Sequence, residues 1–549
     1  MIFTWAIYGL LVALGGTALY GWVSSPSGSV ISPSAFWIAG VQVVGLAVSC
    51  FMAQRDQRKG RYWIVPLGVS LISLTGIALQ QDPFLILSFA GVIFYGISEL
   101  IWLILGRLKR GGGILLVLML LIPIALGAYV LQSPRAQAEG TENLTSLEAL
   151  FTAVSAVTVT GLSVIDVGSR FSAEGLWILL LLIQAGGLGA VSLFLLFMTF
   201  LGQGLGMRQG RAVREAMDGL EPTALKSLVW TIFGTTLVLE CLGVLALTIF
   251  NRSDSEVPWF SHLFHSVSAF CNSGFALQAD SLKSMNPASL LIVCFLIILG
   301  GIGFPVIWDV VKALVQRVKM IQGQEIKQRH RVGTHVYLSV GTSVLLWIFG
   351  ALFLLLAGFK GLDSVFWSIT ARTAGFSTGS VVELNDFAIL VLVILMLIGA
   401  SPGSTGGGLK TSTVGVLFVA FFRQILGRKA VLFRNRTLPD KLIRSAAVLT
   451  VAFVSVWIVL LGLLHWTEST ALKNGSLSQQ QLVFEAASAL GTVGLSMEAT
   501  PQLSQLGCMV LMVGMILGRI GPLAIVVVLA SLSRPREKVE RPDAKVMLG

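Results

Sequence analysis

The chain has 549 residues, of which 55% are hydrophobic and only 12% are charged. Soluble domains carry about 25% charged residues, so this composition excludes a soluble globular protein and predicts one that crosses a membrane many times. The net charge of +11 does not indicate a nucleic-acid-binding protein, because most basic residues lie in short loops between apolar segments. Five scattered cysteines form no CxxC or Cys/His pair and predict neither a disulfide framework nor a metal site.

Twelve apolar segments of about 20 residues, the length that spans a bilayer, follow one another along the chain. Four lie within the first 110 residues, near 2–23, 34–53, 62–80 and 84–106. The other eight lie near 114–132, 174–201, 225–250, 288–311, 334–358, 387–425, 442–465 and 503–532. We interpret the first four as extra spans that pack against the other eight or against a partner, with a regulatory role as the alternative.

A short polar segment that ends in glycine recurs four times, each time between an odd and an even member of the last eight spans. These filter segments are Thr158-Val159-Thr160-Gly161, Cys271-Asn272-Ser273-Gly274, Arg372-Thr373-Ala374-Gly375 and Gly491-Thr492-Val493-Gly494. The residues ten before each glycine are Phe151, Phe264, Val365 and Phe484, and those six before it are Ser155, Ser268, Ile369 and Ser488. Such recurrence indicates an internal repeat. Irregular backbone at membrane depth is tolerated only inside protein or beside a water-filled cavity. Each repeat is therefore predicted to be a span, a short re-entrant helix, a loop and a second span.

The basic residues predict the orientation of these spans. With the N-terminus inside and the spans threaded alternately, 29 of the 38 Lys and Arg residues fall in inner loops and 6 fall outside. Positive residues concentrate on the cytoplasmic side of membrane proteins. Both termini are therefore predicted to be cytoplasmic, and the four re-entrant helices are predicted to enter from the outer face. The remaining three, Arg372, Lys410 and Arg519, lie at membrane depth.

The chemistry of the filter segments favours a monovalent cation. A short helix that ends inside the membrane directs its negative dipole end and free carbonyls at the space beyond it. Glycine allows backbone carbonyls to turn toward an ion, and rings of such carbonyls replace the hydration shell in potassium filters. No carboxylate lies in the four segments, which disfavours selection by a ring of acidic side chains. The alternative is that glycine only permits close helix packing; four copies in register favour a filter.

The stretches around the four glycines resemble the filter sequences of the Trk/Ktr/HKT superfamily of potassium and sodium transporters. They are Thr158-Val159-Thr160-Gly161-Leu162, Ala269-Phe270-Cys271-Asn272-Ser273-Gly274-Phe275, Ala371-Arg372-Thr373-Ala374-Gly375-Phe376 and Ala489-Leu490-Gly491-Thr492-Val493-Gly494-Leu495, and the resemblance covers about residues 114–549. It implies an all-α polytopic membrane fold of four span–pore helix–span units around a central pore. Glycine in all four units implies potassium as the substrate, bound by filter backbone carbonyls, with sodium as a candidate activator. Cys271 is a departure, where bacterial relatives often carry Asn, and places a thiol near the predicted ion path.

The resulting domain organisation has six parts. They are extra spans at 1–110, pore unit one at 111–215, unit two at 216–325, unit three at 326–435, unit four at 436–533 and a cytoplasmic tail at 534–549.

The span near 387–425 is interrupted by residues 399–412, which we call the intramembrane segment. Its proline and five glycines end a helix, and its unpaired backbone cannot face lipid, so we predict that it lines the pore below the filter. The resemblance implies a flexible gating loop there. The residues assigned to gating are Gly399, Ser401, Gly403, Ser404, Thr405, Gly406, Gly407, Gly408 and Lys410. A phosphate-binding loop fails on spacing, because Leu409 stands where the required lysine should be.

Arg519 lies well inside the last span. A central arginine is costly in a membrane, so it should face the interior and be paired or hydrated. We predict that it projects beneath the filter and holds the intramembrane segment through carbonyls, a role that basic residues have in the family. The alternative is an arginine near a helix end that extends to the interface.

Regulation would require a partner, because the inner loops are too short to form a nucleotide-binding domain. The basic loops 312–331 and 423–444 are candidate docking surfaces, with lipid headgroups as the alternative. The residues after the last span resemble those of Ktr proteins. This resemblance implies that the chain forms a homodimer in the cell inner membrane and binds a separate cytosolic nucleotide-binding subunit. No covalently bound cofactor is expected. Rival functions are a sodium-preferring or poorly selective transporter of the same fold and, from another class, a polytopic membrane transferase, for which we find no catalytic cluster.

Overall fold

The structure, a computed structural model, describes residues 112–189, 222–250, 259–322, 332–428, 430–434 and 436–521. The spans predicted within residues 1–110 and the tail predicted at 534–549 lie outside the described residues. Three helices in the described part are long and apolar enough to span a membrane, within Thr231–Phe250, Thr334–Leu356 and Asp440–Thr467.

The helices fall in chain order into four sets. The first set is α1 (Gly112–Leu131), α2 (Ser146–Thr158), α3 (Val167–Arg170) and α4 (Ala173–Leu188). The second is α5 (Pro222–Phe250), α6 (Trp259–Phe270), α7 (Pro287–Ile302) and α8 (Phe304–Ile321). The third is α9 (Thr334–Leu356), α10 (Gly361–Thr370), α11 (Asp386–Leu397) and α12 (Thr411–Ile425). The fourth is α13 (Asp440–Thr467), α14 (Ser469–Lys473), α15 (Gln479–Gly491) and α16 (Gln505–Ile520).

Short elements connect these helices. A two-stranded antiparallel hairpin, β1 (Leu432–Phe433) and β2 (Arg436–Thr437), precedes α13. Single 3-10 turns lie at Pro134–Ala136, Val381–Glu383 and Thr500–Gln502.

Capping residues mark the starts of equivalent helices in different sets. Capping boxes start α2 at Thr145 and α15 at Ser478, so two otherwise unpaired N–H groups are satisfied at each start. The apolar helices α4, α7, α11 and α16 each begin after a Ser or Asn whose side chain accepts a backbone N–H, namely Ser172, Asn286, Asn385 and Ser504. Such caps fix where each apolar helix begins.

The short helices α2, α6, α10 and α15 form the centre of the molecule. Phe151, Phe264, Phe366 and Phe484 on them are fully buried, whereas α9 and α13 expose apolar residues such as Leu356 and Val451. An exposed apolar surface on the outer helices fits contact with lipid. The polar ends of the central helices are thereby shielded from the membrane.

The register expected for the third set is wrong by one residue. Val365, ten before the glycine, is 42% exposed, and its neighbour Phe366 occupies the buried position. Ile369 likewise gives way to Thr370, whose hydroxyl donates to the carbonyl of Phe376 at 2.7 Å, as Ser268 donates to Phe275 at 2.7 Å in the second set. The buried phenylalanine of this set is therefore one residue nearer to its glycine in the sequence than those of the other three sets.

The span predicted near 288–311 is not one straight helix. α7 ends at Gly303, which has a φ of 97°, and α8 continues at 97° to it. In the same place α4 ends at Gly189 and α16 at Gly521. The interruption that the sequence predicts for the third set alone thus has a shorter counterpart in the second set. Glycine accepts the positive φ that each helix end requires.

A ring of four glycines and the segment beneath it

The four glycines of the filter segments lie together in a closed ring. A Cβ placed on Gly161 would overlap the carbonyl oxygen of Ser273, and one placed on Gly274 would lie 2.6 Å from that of Ala374. Likewise, a Cβ on Gly375 would overlap the carbonyl oxygen of Val493, and one on Gly494 would overlap that of Thr160, which closes the ring. Each glycine thus abuts the carbonyl that precedes the next glycine. No larger residue fits at these positions without displacing backbone.

The backbone of the four filter segments has the same unusual form. Each glycine has a positive φ, between 72° and 97°. The residue two before it is left-handed in every case: Val159 at 57°, Asn272 at 58°, Thr373 at 75° and Thr492 at 49°. Three of these are β-branched, for which this conformation is a real outlier. Such strain persists only where the surroundings impose it, and it is often found at functional sites.

Hydroxyl groups on the central helices hold the filter segments. Ser155 Oγ accepts the N–H of Gly161 at 3.0 Å, and Ser488 Oγ accepts that of Gly494 at 3.1 Å. Ser268 and Thr370 instead donate to the carbonyl after their glycine. The recurrence of serine six residues before three glycines was visible in the sequence, but its hydrogen-bonding role was not.

Glu485 on α15, an acid in the fourth short helix, is not among the residues predicted for the filter or the gate. Its side chain is fully buried, and its carboxylate accepts from Ser496 Oγ at 2.6 Å, Met497 N at 3.0 Å and Thr500 Oγ1 at 2.7 Å. It therefore fixes the loop that follows the fourth glycine. A carboxylate in an apolar helix, with Ser and Thr in the next loop, is the signal that could have identified it.

Two predicted filter residues direct their side chains away from the ring. Arg372 donates to the carbonyls of Ser343 at 3.2 Å and Gly399 at 2.9 Å, and its guanidinium lies 5.4 Å from the ring centre of Trp347. The Cys271 thiol is buried and lies 3.6 Å from Gln184 Oε1, near Glu240. The Cys271 side chain therefore packs against α4, where a Cβ placed on Gly187 would overlap its sulfur.

The intramembrane segment packs against the filter segments. The N–H of Gly407 donates to Thr492 Oγ1 at 3.0 Å, and a Cβ on Gly406 would overlap Thr373 Oγ1. The hydroxyl of Thr405 donates to the carbonyl of Phe270 at 3.4 Å. The segment therefore lies directly against the residues that precede the glycines.

The ends of neighbouring helices also bind the intramembrane segment. The N–H of Ser401 donates to the carbonyl of Gly301 at 3.1 Å, and that of Phe304 donates to the carbonyl of Gly403 at 2.9 Å. Within the segment, Ser404 Oγ donates to the carbonyl of Ser401 at 2.6 Å. Gly403 and Gly408 both have positive φ, so the tight turns of the segment require glycine there.

Besides Arg372, two further cations bind carbonyls of the intramembrane segment. Arg519 donates from one guanidinium nitrogen to the carbonyl of Thr405 and from another to that of Gly186 on α4. Lys410 Nζ donates to the carbonyls of Gly406 at 2.7 Å and Gly407 at 3.5 Å. Arg519 thus bridges the segment to the first set of helices.

A cavity of about 580 Å³ lies on the side of the residues that follow the four glycines, and all four glycines line it. Its lining includes the carboxylates of Asp166, Asp280 and Glu498 and the amine of Lys283. The wide, net acidic side of the ring is therefore opposite the side that the intramembrane segment covers.

Short buried helices that converge on a central ring, inside a shell of apolar helices, define a polytopic helical membrane protein. A family model described as TrkH, cation transport protein, matches residues 130–541. The chain therefore belongs to this family of cation transport proteins, and it is not an enzyme.

Relatives are similar over nearly their whole length. The Ktr system potassium uptake protein B of Vibrio alginolyticus is 34% identical over 80% of this chain and 96% of the relative. The protein of the same name in Bacillus subtilis is 34% identical over 78% and 94%. The potassium/sodium uptake protein NtpJ of Enterococcus hirae is 30% identical over 78% and 95%.

A solved structure shares the fold. The crystal structure of the potassium transporter TrkH from Vibrio parahaemolyticus matches with a TM-score of 0.60 and 19% identity, over 91% of this chain and 97% of that chain. The mostly helical architecture is thus that of a TrkH-type membrane protein.

Proposed function

We propose that the protein carries out potassium uptake across the cytoplasmic membrane through the ring of four glycines. The observation that carries the proposal is the closure of that ring, in which the carbonyl oxygens of Thr160, Ser273, Ala374 and Val493 each lie against the glycine of a neighbouring filter segment. Backbone carbonyls replace the water shell of a desolvated cation. The names of the potassium uptake relatives support this substrate.

The ion enters from the acidic cavity and leaves on the side of the intramembrane segment. The segment acts as the gate, since it covers the ring and Arg519 and Lys410 hold it through its carbonyls. Both termini are cytoplasmic, and sodium is the candidate activator. The assembly is a homodimer in a lipid membrane with a separate cytosolic nucleotide-binding subunit, and no cofactor is covalently bound.

A transporter of the same fold that also accepts sodium is the second candidate. The observation that favours it is the name of the Enterococcus hirae relative, a potassium/sodium uptake protein. Competition between sodium and rubidium for uptake separates the two candidates.

Gly161→Ser tests the ring. A side chain there would overlap the carbonyl of Ser273, and the φ of 88° strains any residue but glycine. We expect the preference for rubidium over sodium to fall at least about tenfold, the factor that corresponds to about 1.4 kcal/mol, in uptake by a potassium-transport-deficient host.

Gly140→Ser is the matched control. Gly140 has a φ of 79°, and nothing in the described structure lies within 4 Å of a Cβ placed on it. We expect the parent preference in this control. A parent-like preference in Gly161→Ser as well would contradict the proposed ion path.

Arg519→Ala tests the gate. Removal of the guanidinium leaves the carbonyls of Thr405 and Gly186 without this donor, so the intramembrane segment is released more easily. We expect the maximal rate of rubidium uptake into proteoliposomes to increase several-fold, whereas the exposed Arg428→Ala should match the parent. Equal or lower flux in Arg519→Ala would count against gating by this residue.

A further inference from the structure

The intramembrane segment and the filter segments share hydrogen bonds that do not involve Arg519. The Gly407 N–H donates to Thr492 Oγ1 at 3.0 Å, and Arg372 donates to the carbonyl of Gly399 at 2.9 Å. A third bond joins the Thr405 hydroxyl to the end of α6. The segment is therefore bonded directly to the chain at or just before the second, third and fourth glycines.

Thr492 has a backbone conformation that is unfavourable for a β-branched side chain. Its φ of 49° is left-handed, a conformation that glycine or asparagine adopts more readily than a β-branched residue. The hydroxyl accepts the Gly407 N–H, and a Cβ placed on Gly407 would lie 3.0 Å from Thr492 Cγ2. The strained residue is thus the one whose side chain supports the segment, and observed strain of this kind points to function.

Arg372 binds the segment with a buried charge. Its side chain is 4% exposed, and its polar partners are Ser343 and the carbonyl of Gly399, just beyond the negative end of α11. A charge at membrane depth is costly without partners. If the segment moved away, Arg372 would lose its Gly399 acceptor, so the position of the segment and the state of this filter segment are linked energetically.

We propose that Thr492 and Arg372 are positioning residues that couple the intramembrane segment to the ring, so that discrimination between potassium and sodium depends on the segment being in place. The segment then supports the filter segments through hydrogen bonds and also acts as the gate. When it moves, the third and fourth filter segments lose hydrogen-bond partners and their carbonyls are less tightly held. This inference rests on the proposed function, because it assigns regulation to the same ring.

Thr492→Val tests the coupling. Valine keeps the β-branched shape and the backbone strain and removes only the hydroxyl, whereas Thr492→Ser keeps the hydroxyl. The measurement is the ratio of sodium to rubidium uptake into proteoliposomes that contain the purified full chain. We expect Thr492→Val to raise the ratio about tenfold, the effect of one buried hydrogen bond, and Thr492→Ser to restore it to near the parent value.

Thr152→Val is the matched control. Thr152 is also fully buried on a central helix, but its hydroxyl donates to the Glu148 carbonyl within that helix, at 2.8 Å. We expect the parent ratio. Arg372→Lys is a second, independent variant that keeps the charge and loses the planar fork of donors, and it should raise the ratio in the same direction.

A double variant measures the coupling itself. Arg519→Gln should raise the sodium to rubidium ratio because it frees the segment, and adding Thr492→Val should then raise it little further, since residues in one network are not additive. An unchanged ratio in both Thr492→Val and Arg372→Lys, with a changed ratio in Gly161→Ser, would overturn the coupling and leave the proposed filter intact. An unchanged ratio in Gly161→Ser as well would overturn the proposed filter too.

Discussion

At the scale of single residues, serine hydroxyl groups hold two of the ring glycines through their backbone N–H groups. Ser155 and Ser488 accept the N–H groups of Gly161 and Gly494, so these donors remain satisfied although the local backbone is not helical. An unpaired buried N–H costs about 1–3 kcal/mol. The positions of the glycines therefore depend on these serines.

Ser488→Ala should lower the preference for rubidium over sodium and destabilise the protein by about 1–3 kcal/mol, because the Gly494 N–H loses its acceptor. The measurements are competitive uptake and thermal unfolding in detergent. Ser476→Ala, at an exposed serine that donates to the Ala471 carbonyl, is the control. Equal unfolding temperatures for the two variants would argue against this role.

At this scale the sequence predicts the four glycines of the ring, but it misaligns the short helix of the third set by one residue. Four glycines with similar surroundings were enough to place them in one group, because only glycine tolerates both the positive φ and the neighbouring carbonyl. The one-residue shift in the third set was not predictable from pattern. Val365 and Phe366 are both apolar, and only packing decides which is buried.

At the scale of elements, the apolar helices α4, α7 and α16 each end at a glycine, whereas α11 ends at Ile398 before the intramembrane segment. The long interruption between α11 and α12 was predictable from its proline and glycines. The 97° bend between α7 and α8 was not predicted, because the apolar run continues through Gly303. Gly303, with its positive φ, and Pro305, which has no N–H to donate, break the helix locally. The N–H of Phe304 donates to the carbonyl of Gly403 at 2.9 Å and joins the bend to the intramembrane segment.

Gly303→Ala should impair transport more than an equivalent change elsewhere. A Cβ there would lie 2.6 Å from the carbonyl oxygen of Pro402 and displace the segment. Gly358→Ala is the matched control, since Gly358 has a φ of 102° and no described atom lies within 4 Å of a Cβ placed on it. We expect several-fold lower rubidium uptake for Gly303→Ala alone, at equal protein levels in the membrane. Similar uptake by the two variants would mean that the bend is not linked to the segment.

At the scale of the whole molecule, acidic side chains outnumber basic ones on one side of the ring. Asp166, Asp280 and Glu498 outnumber Lys283 around the cavity of about 580 Å³, so the proposed entrance is one that attracts cations. Clefts of one sign raise the local concentration of the opposite ion. The acidic surroundings follow the glycines in separate loops, and sequence alone did not bring them together.

Asp280→Asn should raise the rubidium concentration that gives half-maximal uptake, by about twofold at low ionic strength. The effect should shrink toward 0.15 M salt, where charges are screened beyond about 8 Å. Lys283→Gln should act in the opposite direction. Glu142→Gln, an exposed acid outside the cavity lining, should have no effect. A change in Asp280→Asn that is insensitive to salt would contradict an electrostatic cause.

One polypeptide supplies all four quarters of the ring, and this removes a constraint that identical subunits would impose. In a symmetric tetramer every insertion appears four times, and four copies of residues 399–412 would compete for the same space on the axis. Here the sequence gives only the third set the long segment, and the described helices α4, α7 and α16 of the other sets each end at a glycine. The intramembrane segment can therefore lie off the axis of the ring, with unequal contacts to the four filter segments. A single substitution can then alter one filter segment while the other three stay as they were.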